Sequence, residues 1–150
     1  MEFVRLNESN VEEYIEYLEH VFSLEPDMMC AESVDKDGIR ARVKDGFYNN
    51  TTSVLAMESG KVIGRIEYHF YGCMQDGCKM AYVDWVYVLP EFRHRGVARQ
   101  LFKEFESDCK QNGIDQYYLI RAENPDADKF YHSFEKAELS RVPLLRKYLK

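Results

Sequence analysis

One stretch, Tyr82 to Cys109, constrains this chain more than any other. It opens as an apolar-rich strand, Tyr82-Val83-Asp84-Trp85-Val86-Tyr87-Val88, and turns at Leu89-Pro90. It then runs through Glu91-Phe92-Arg93-His94-Arg95-Gly96-Val97-Ala98 into an amphipathic helix. Val97, Leu101, Phe102, Phe105 and Cys109 share one face of that helix at helical spacing. A strand, a basic glycine-containing turn and a helix N-terminus together make an anion site. Unbonded N–H groups and the helix dipole point at the turn, and Gly96 lets a phosphate come close to the backbone. The chain contains neither G-x-x-x-x-G-K-[ST] nor G-x-G-x-x-G, which sets aside the two commonest nucleotide loops.

Arg93-x-x-Gly96-x-Ala98 resembles the Arg/Gln-x-x-Gly-x-Gly/Ala signature of the GNAT superfamily of N-acetyltransferases, which cradles the pyrophosphate of acetyl-CoA. Its place after Val-x-Val-x-Pro-x-Phe-Arg and before an amphipathic helix makes the resemblance specific. The sequence-specific part covers about Tyr82 to Phe134, and the first half matches in pattern alone. The resemblance implies an α/β (α+β) fold, a mixed central sheet of six to seven strands flanked by about four helices. It also implies acetyl-CoA as donor and CoA as product.

The rest of the chain is read from its periodicities. Phe3 to Leu6 is a short strand, and Ser9-Asn10-Val11-Glu12 has the form of a capping box. The following helix puts Val11, Tyr14, Ile15, Leu18 and Phe22 on one stripe, and a second helix is expected from Asp37 to Phe47. Thr52–Met57 and Val62–Tyr71 are strands joined at Ser59-Gly60, and Asp76-Gly77 turns the chain into Lys79–Val88. After the helix, Asn112-Gly113 forms a C-cap and Asp115–Ala122 a strand. Asn124-Pro125 starts a last helix, with Val142–Leu149 as a final strand. No linker or repeat interrupts residues 1–150, which are expected to be a single domain.

Composition excludes several classes. A formal net charge of −6 disfavours nucleic acid. No apolar run reaches the roughly 20 residues of a membrane span. The N-terminus lacks the features of a signal peptide, so a cytoplasmic location with reduced cysteines is expected. Cys73 and Cys78 flank the Asp-Gly turn and are expected as free thiols, and Cys30 and Cys109 as core or surface filler. The Cys-x4-Cys spacing lacks a second Cys/His pair, and no metal is expected. Acid dominates from Met1 to Asp37, where only Arg5 and Lys36 oppose it. That is a solvated face, or a field attracting a cationic amine.

Acetyl transfer from a thioester to an amine requires a held CoA, a proton acceptor for the ammonium and a proton donor for the departing thiolate. Holding falls to Arg93, His94, Arg95, Gly96, Val97 and Ala98. In the family, strand backbone beside this loop pairs with the pantetheine arm, which carries onto Val86, Tyr87 and Val88. The resemblance points to Tyr131 as the acid and Asn124 as a CoA contact, through Asn124-(x6)-Tyr131. A phenol of pKa about 10 suits protonation of a thiolate whose thiol titrates at about 8.5. The family's Tyr-x-x-x-Gly-Phe is not continued here, because Tyr131 is followed by His132-Ser133-Phe134-Glu135-Lys136.

Asp84 is the first candidate base. Strict alternation puts it on a face with Tyr82, Val86 and Val88, an otherwise apolar setting. Glu67 is the second, although its alternation with Arg65 and His69 also fits a plain surface strand. Some family members need no dedicated base. His69 and His20 are read as ordinary polar residues. The expected partner is a small amine, favoured over a protein substrate, in a family whose members are often homodimers. A non-catalytic acyl-CoA-binding module is the alternative.

Overall fold

The computed structural model describes residues 1–28 and 31–149. Cys30 therefore lies outside the described residues. The chain divides into two compact units, Met1–Leu119 and Ile120–Lys150.

The first unit is a five-stranded sheet in the order β1-β2-β3-β4-β5: β1 (Glu2–Arg5), β2 (Thr51–Glu58), β3 (Lys61–Gly72), β4 (Lys79–Val88) and β5 (Gln116–Leu119). The first three pairings are antiparallel and β4–β5 is parallel. Ser59 and Gly60 both take positive φ, so β2 and β3 join through a tight turn whose twist matches the strands.

Helices cover both faces. α1 (Val11–Leu24) and α2 (Lys36–Arg42) pack with Leu55, Met57 and Tyr87 around Tyr14, Ile15, Leu18 and Val21. Val21 and Tyr17 join the buried stripe, while Phe22 is only half-buried. α3 (Val97–Gln111) buries Leu101, Phe102 and Phe105, and the Phe105 ring lies 4.7 Å from that of Tyr68. Asp108 is carried into this core because three groups satisfy it. Tyr68 donates to it at 2.6 Å, Arg5 at 2.8 Å and Asn112 Nδ2 at 3.1 Å.

The sheet has a register shift at Glu67/Tyr68: Tyr68 faces Val83 and Glu67 faces Trp85, leaving Asp84 as an extra residue in β4. The bulge changes the phase of the strand. Ala81 and Val83 lie on the Tyr68 face before it, and Val86 and Val88, opposite Ile66 and Gly64, lie on that face after it.

Several expectations are corrected. The capping box does not form: Asn10 is the N-cap residue, and Ser9 Oγ donates instead to Asn7 Oδ1 at 2.6 Å. Asn10 is itself engaged with Asn7 N–H and Arg5 C=O, so a side-chain-bonded turn enters the helix. α2 stops at Arg42, because Asp45 caps a separate 3₁₀ turn, Gly46–Asn50, by accepting from Phe47 N–H. Residues 142–149 carry no strand, so the sheet has five strands among the described residues rather than six to seven. Pro143 removes a ladder donor there, and the apolar residues Val142, Leu144, Leu145, Tyr148 and Leu149 do not alternate with period two.

The second unit contains α4 (Pro125–Tyr131). Asn124 caps it by accepting from Ala127 N–H at 2.9 Å, and Pro125 occupies the first turn. Phe130, Tyr131 and Phe134 form an aromatic cluster with ring separations of 5.2–5.7 Å. No helix of the described residues is long and apolar enough to cross a membrane.

Candidate functional site

Two features of the first unit meet along β4. The first is the turn into α3. Gly96 is the N-cap residue at φ +81°, a left-handed conformation that L side chains resist. No atom beyond its chain neighbours lies within 4 Å of where a Cβ would stand, so the space above it is open to a ligand. The first return bond of the helix is Gln100 N–H to Gly96 C=O at 3.0 Å. The N–H groups of Val97 and Ala98 precede it and have no intrahelical acceptor. On a helix of 15 residues this end carries partial positive charge. These groups fit a pyrophosphate.

The two arginines of the turn are already engaged. Arg93 donates from Nε to Val88 C=O at 3.0 Å and from its terminal nitrogen to Glu25 at 3.2 Å, and it lies over the Tyr87 ring. Arg95 donates to Glu58 at 2.8 Å and covers Phe92. Arg93 thus pins the turn to the end of β4. His94 lies in the turn at φ +60°.

Beyond Val83, β4 has an edge with no strand partner among the described residues. β5 pairs with it only along Met80–Val83. Leu89 N–H bonds Ile63 C=O at 3.0 Å, so ladder alternation directs the backbone of Tyr87 towards β3 and that of Val86 and Val88 towards the opposite edge. Val88 C=O holds Arg93, while Tyr87 C=O also accepts from the Tyr17 hydroxyl at 3.1 Å. Of the three residues read from sequence as backbone partners, Val86 and Val88 face the open edge and Tyr87 does not.

The second feature is a groove of about 660 Å³ between α1, α2 and the sheet. Tyr14, Arg65, Glu67, His69 and Asp84 are among its lining residues. Its floor is a polar network. Glu67 Oε2 accepts from Ser53 Oγ at 2.5 Å and from Arg65 at 2.9 Å. Arg65, only 7% exposed, also donates to Tyr14 at 2.6 Å and lies over the Tyr14 and Trp85 rings. Burial pushes the Tyr14 hydroxyl pKa up, and the Arg65 charge pulls the other way. His69 Nδ1 is 3.1 Å from Thr51 Oγ1, and its ring stacks with Tyr82.

Asp84 is corrected on two counts. It is exposed, and it stands with Glu67 and His69 rather than on an apolar face. The bulge is the reason: Asp84 keeps Tyr82 as a same-face neighbour, but Val86 and Val88 have moved to the other side. Glu67 and Arg65 are not plain surface residues, since the network above half-buries the first and buries the second. Ser53, Tyr14 and Thr51, which complete the network, carried no motif. Their one sequence signal was Arg65-x-Glu67-x-His69, three polar groups spaced to share a strand face with Ile66 and Tyr68 between them.

Tyr131 and Asn124 belong to the second unit. Burial raises the Tyr131 pKa above that of an ordinary phenol, with Arg121 opposing the shift. Asn124 uses Oδ1 as a helix cap. Cys73 and Cys78 flank their turn as free thiols, and Cys109 is buried in α3.

Residues 11–135 match the model of the acetyltransferase (GNAT) family. The chain belongs to that family. Solved structures agree on the fold. An aminoglycoside acetyltransferase from an uncultured soil metagenomic sample, solved with trehalose, aligns at TM-score 0.81 and 17% identity over 99% of this chain and 96% of that one. The ribosomal-protein-alanine N-acetyltransferase of Brucella melitensis biovar Abortus 2308 aligns at 0.75 and 17%, over 98% and 100%. The aminoglycoside N-acetyltransferase AAC(6')-Iy in complex with CoA aligns at 0.74 and 21%, over 97% and 93%. No curated relative matches by sequence.

Proposed function

We propose that this GNAT acetyltransferase moves acetyl from acetyl-CoA to a primary amine of a small cationic acceptor. The supporting observation is the arrangement along β4: the cradle at Gly96–Ala98, the open edge at Val86 and Val88, and the carboxylates of Glu67 and Asp84 on one strand and its neighbour. In this reading the pyrophosphate takes the N–H groups of Val97 and Ala98, with Arg93, His94 and Arg95 beside it. The pantetheine amides lie against Val86 and Val88, and Asn124 makes a further CoA contact. The two structural neighbours named for aminoglycosides, one of them bound to CoA, make a small polyamine-like acceptor the first class to test.

The acceptor would lie in the groove. Its ammonium gives a proton to Asp84 or Glu67, directly or through water, and the freed nitrogen lone pair attacks the thioester carbon. The C–N bond forms, the C–S bond breaks, and the thiolate leaves to take a proton from Tyr131. Asp84 is the better placed to receive the first proton, because both Ser53 and Arg65 already bond Glu67 Oε2.

Calorimetric titration with acetyl-CoA, followed by an amine panel read by thiol release, tests the proposal. Saturable binding and turnover on a polyamine, with KM rising with salt, are expected. Turnover confined to anionic acceptors, or no CoA binding, would overturn it.

A further inference from the structure

Glu67, His69 and Asp84 carry a second possibility, distinct from proton transfer. Among the described residues they are the one trio whose ligating atoms, one from each side chain, all lie within 4.8 Å of one another. We propose that they bind a divalent first-row transition ion of the Zn²⁺ type at the floor of the groove, and that ion and acceptor exclude each other there. The second half of this statement rests on the acetyl-transfer reading; the first half does not.

The donor set selects the class of ion. One imidazole and two carboxylates suit zinc, cobalt or nickel, whereas magnesium and calcium take oxygen alone. Arg65 reinforces the choice. Its fixed positive charge beside Glu67 offsets one carboxylate, which penalises a hard ion held by charge more than an ion held in part by nitrogen.

The surroundings resemble an outer coordination shell. Ser53 and Arg65 hold one oxygen of Glu67, leaving Oε1 for an ion. A proton on His69 Nδ1, donated to Thr51 Oγ1, leaves Nε2 as the basic nitrogen. Both ligands on β3 are therefore oriented by residues of β2.

Asp84 is the adjustable member. Metal–ligand distances of about 2.0–2.2 Å place tetrahedral ligands about 3.3–3.6 Å apart, so atoms up to 4.8 Å apart must draw in by at most about 1.5 Å. Asp84 is exposed, sits on the bulge, and can make that movement by rotating its side chain. An ion there would stand where the acceptor ammonium otherwise meets its base.

The test is a Co²⁺ titration of the full chain with Cys73→Ser and Cys78→Ser in place, followed by absorption and calorimetry. One saturable site with the weak d–d bands of nitrogen–oxygen coordination is expected. His69→Ala and Asp84→Asn should each weaken it at least tenfold, and Thr51→Val by about 10–100-fold through loss of the outer-shell bond. Asp84→Asn alters an exposed side chain, so its result does not hinge on folding. An absence of saturable binding, or affinity unchanged in both His69→Ala and Asp84→Asn, overturns the site. A strong thiolate charge-transfer band would place the ion on cysteine and overturn it as well. With an acceptor in hand, Zn²⁺ should raise the acceptor KM and leave the acetyl-CoA KM alone. An unchanged acceptor KM at saturating Zn²⁺ overturns the exclusion. Ion binding in a protein that acetylates no amine leaves the site standing and removes the acetyl-transfer reading.

Discussion

Replacing Gly96 separates the two jobs assigned to it. At φ +81° an alanine costs about 1–2 kcal/mol relative to glycine. The stiffer unfolded chain returns about 0.4–1 kcal/mol, so Gly96→Ala should destabilise by about 1 kcal/mol. For a chain of this size that lowers Tm by about 2–4 °C. No steric cost is added, since nothing lies within 4 Å of the new methyl group. That methyl does occupy the approach of the pyrophosphate. Losing one charge-assisted N–H bond to phosphate costs about 1.5–3 kcal/mol, or about 10–150-fold in CoA affinity. Gly96→Asn sharpens the comparison, because asparagine tolerates the left-handed region but fills the same space. Its Tm should lie between those of the parent and the alanine variant, while its CoA affinity falls at least as far as in alanine. Differential scanning fluorimetry and isothermal titration with CoA read the two effects. A folded Gly96→Ala protein that binds CoA as tightly as the parent would refute the cradle.

Further outcomes follow from three other side chains, Tyr68, Cys109 and Tyr131. Tyr68→Phe removes the 2.6 Å bond to the buried carboxylate of Asp108 and should cost about 2 kcal/mol, seen in urea melts; a cost below about 0.5 kcal/mol would mean that Arg5 and Asn112 suffice. Burial pushes the Cys109 thiol up to about 12, so at pH 8.5 iodoacetamide should label Cys73 and Cys78 first, as peptide mass spectrometry would show. The same shift implies a stability contribution that is complete below about pH 9 and lost as pH rises towards 12, and equal labelling of Cys109 in native protein would contradict both. Tyr131→Phe should lower kcat by about 10²–10⁴-fold with CoA affinity retained, and unchanged turnover would remove Tyr131 from the mechanism.

Local patterns carried most of the fold. The Val97–Cys109 stripe, the Ser59-Gly60 and Asp76-Gly77 turns, and the Asn124-Pro125 helix start are each written within a few consecutive residues. The N-cap at Asn10 was harder to read, because three neighbouring polar side chains compete for the same backbone groups and sequence does not rank them. The groove was legible in part. Glu67 and His69 were visible on β3, but their meeting with Asp84 depends on cross-strand register, and one inserted residue shifts that register. Alternation by two assumes an unbroken ladder, so it misplaced Asp84 among valines. The strand expected at 142–149 had no such alternation behind it, and Pro143 weighs against one there.

The bulge makes β4 a mechanical phase shifter, and this gives substitution and deletion at position 84 different consequences. Exchanging Asp84 for another residue alters one group in the groove. Deleting it would restore a regular ladder without turning either half over: Val83 would still face Tyr68, and Trp85 and Val86 would follow it opposite Glu67 and Ile66. Ala81, Val83, Val86 and Val88 would keep the Tyr68 face of the sheet, and the groove would lose the carboxylate that β4 brings to it. The acidity of the groove thus depends in part on a residue that the core does not need, so a lineage could retune it by point mutation or lose it with the bulge and leave the cradle and its neighbouring edge in place.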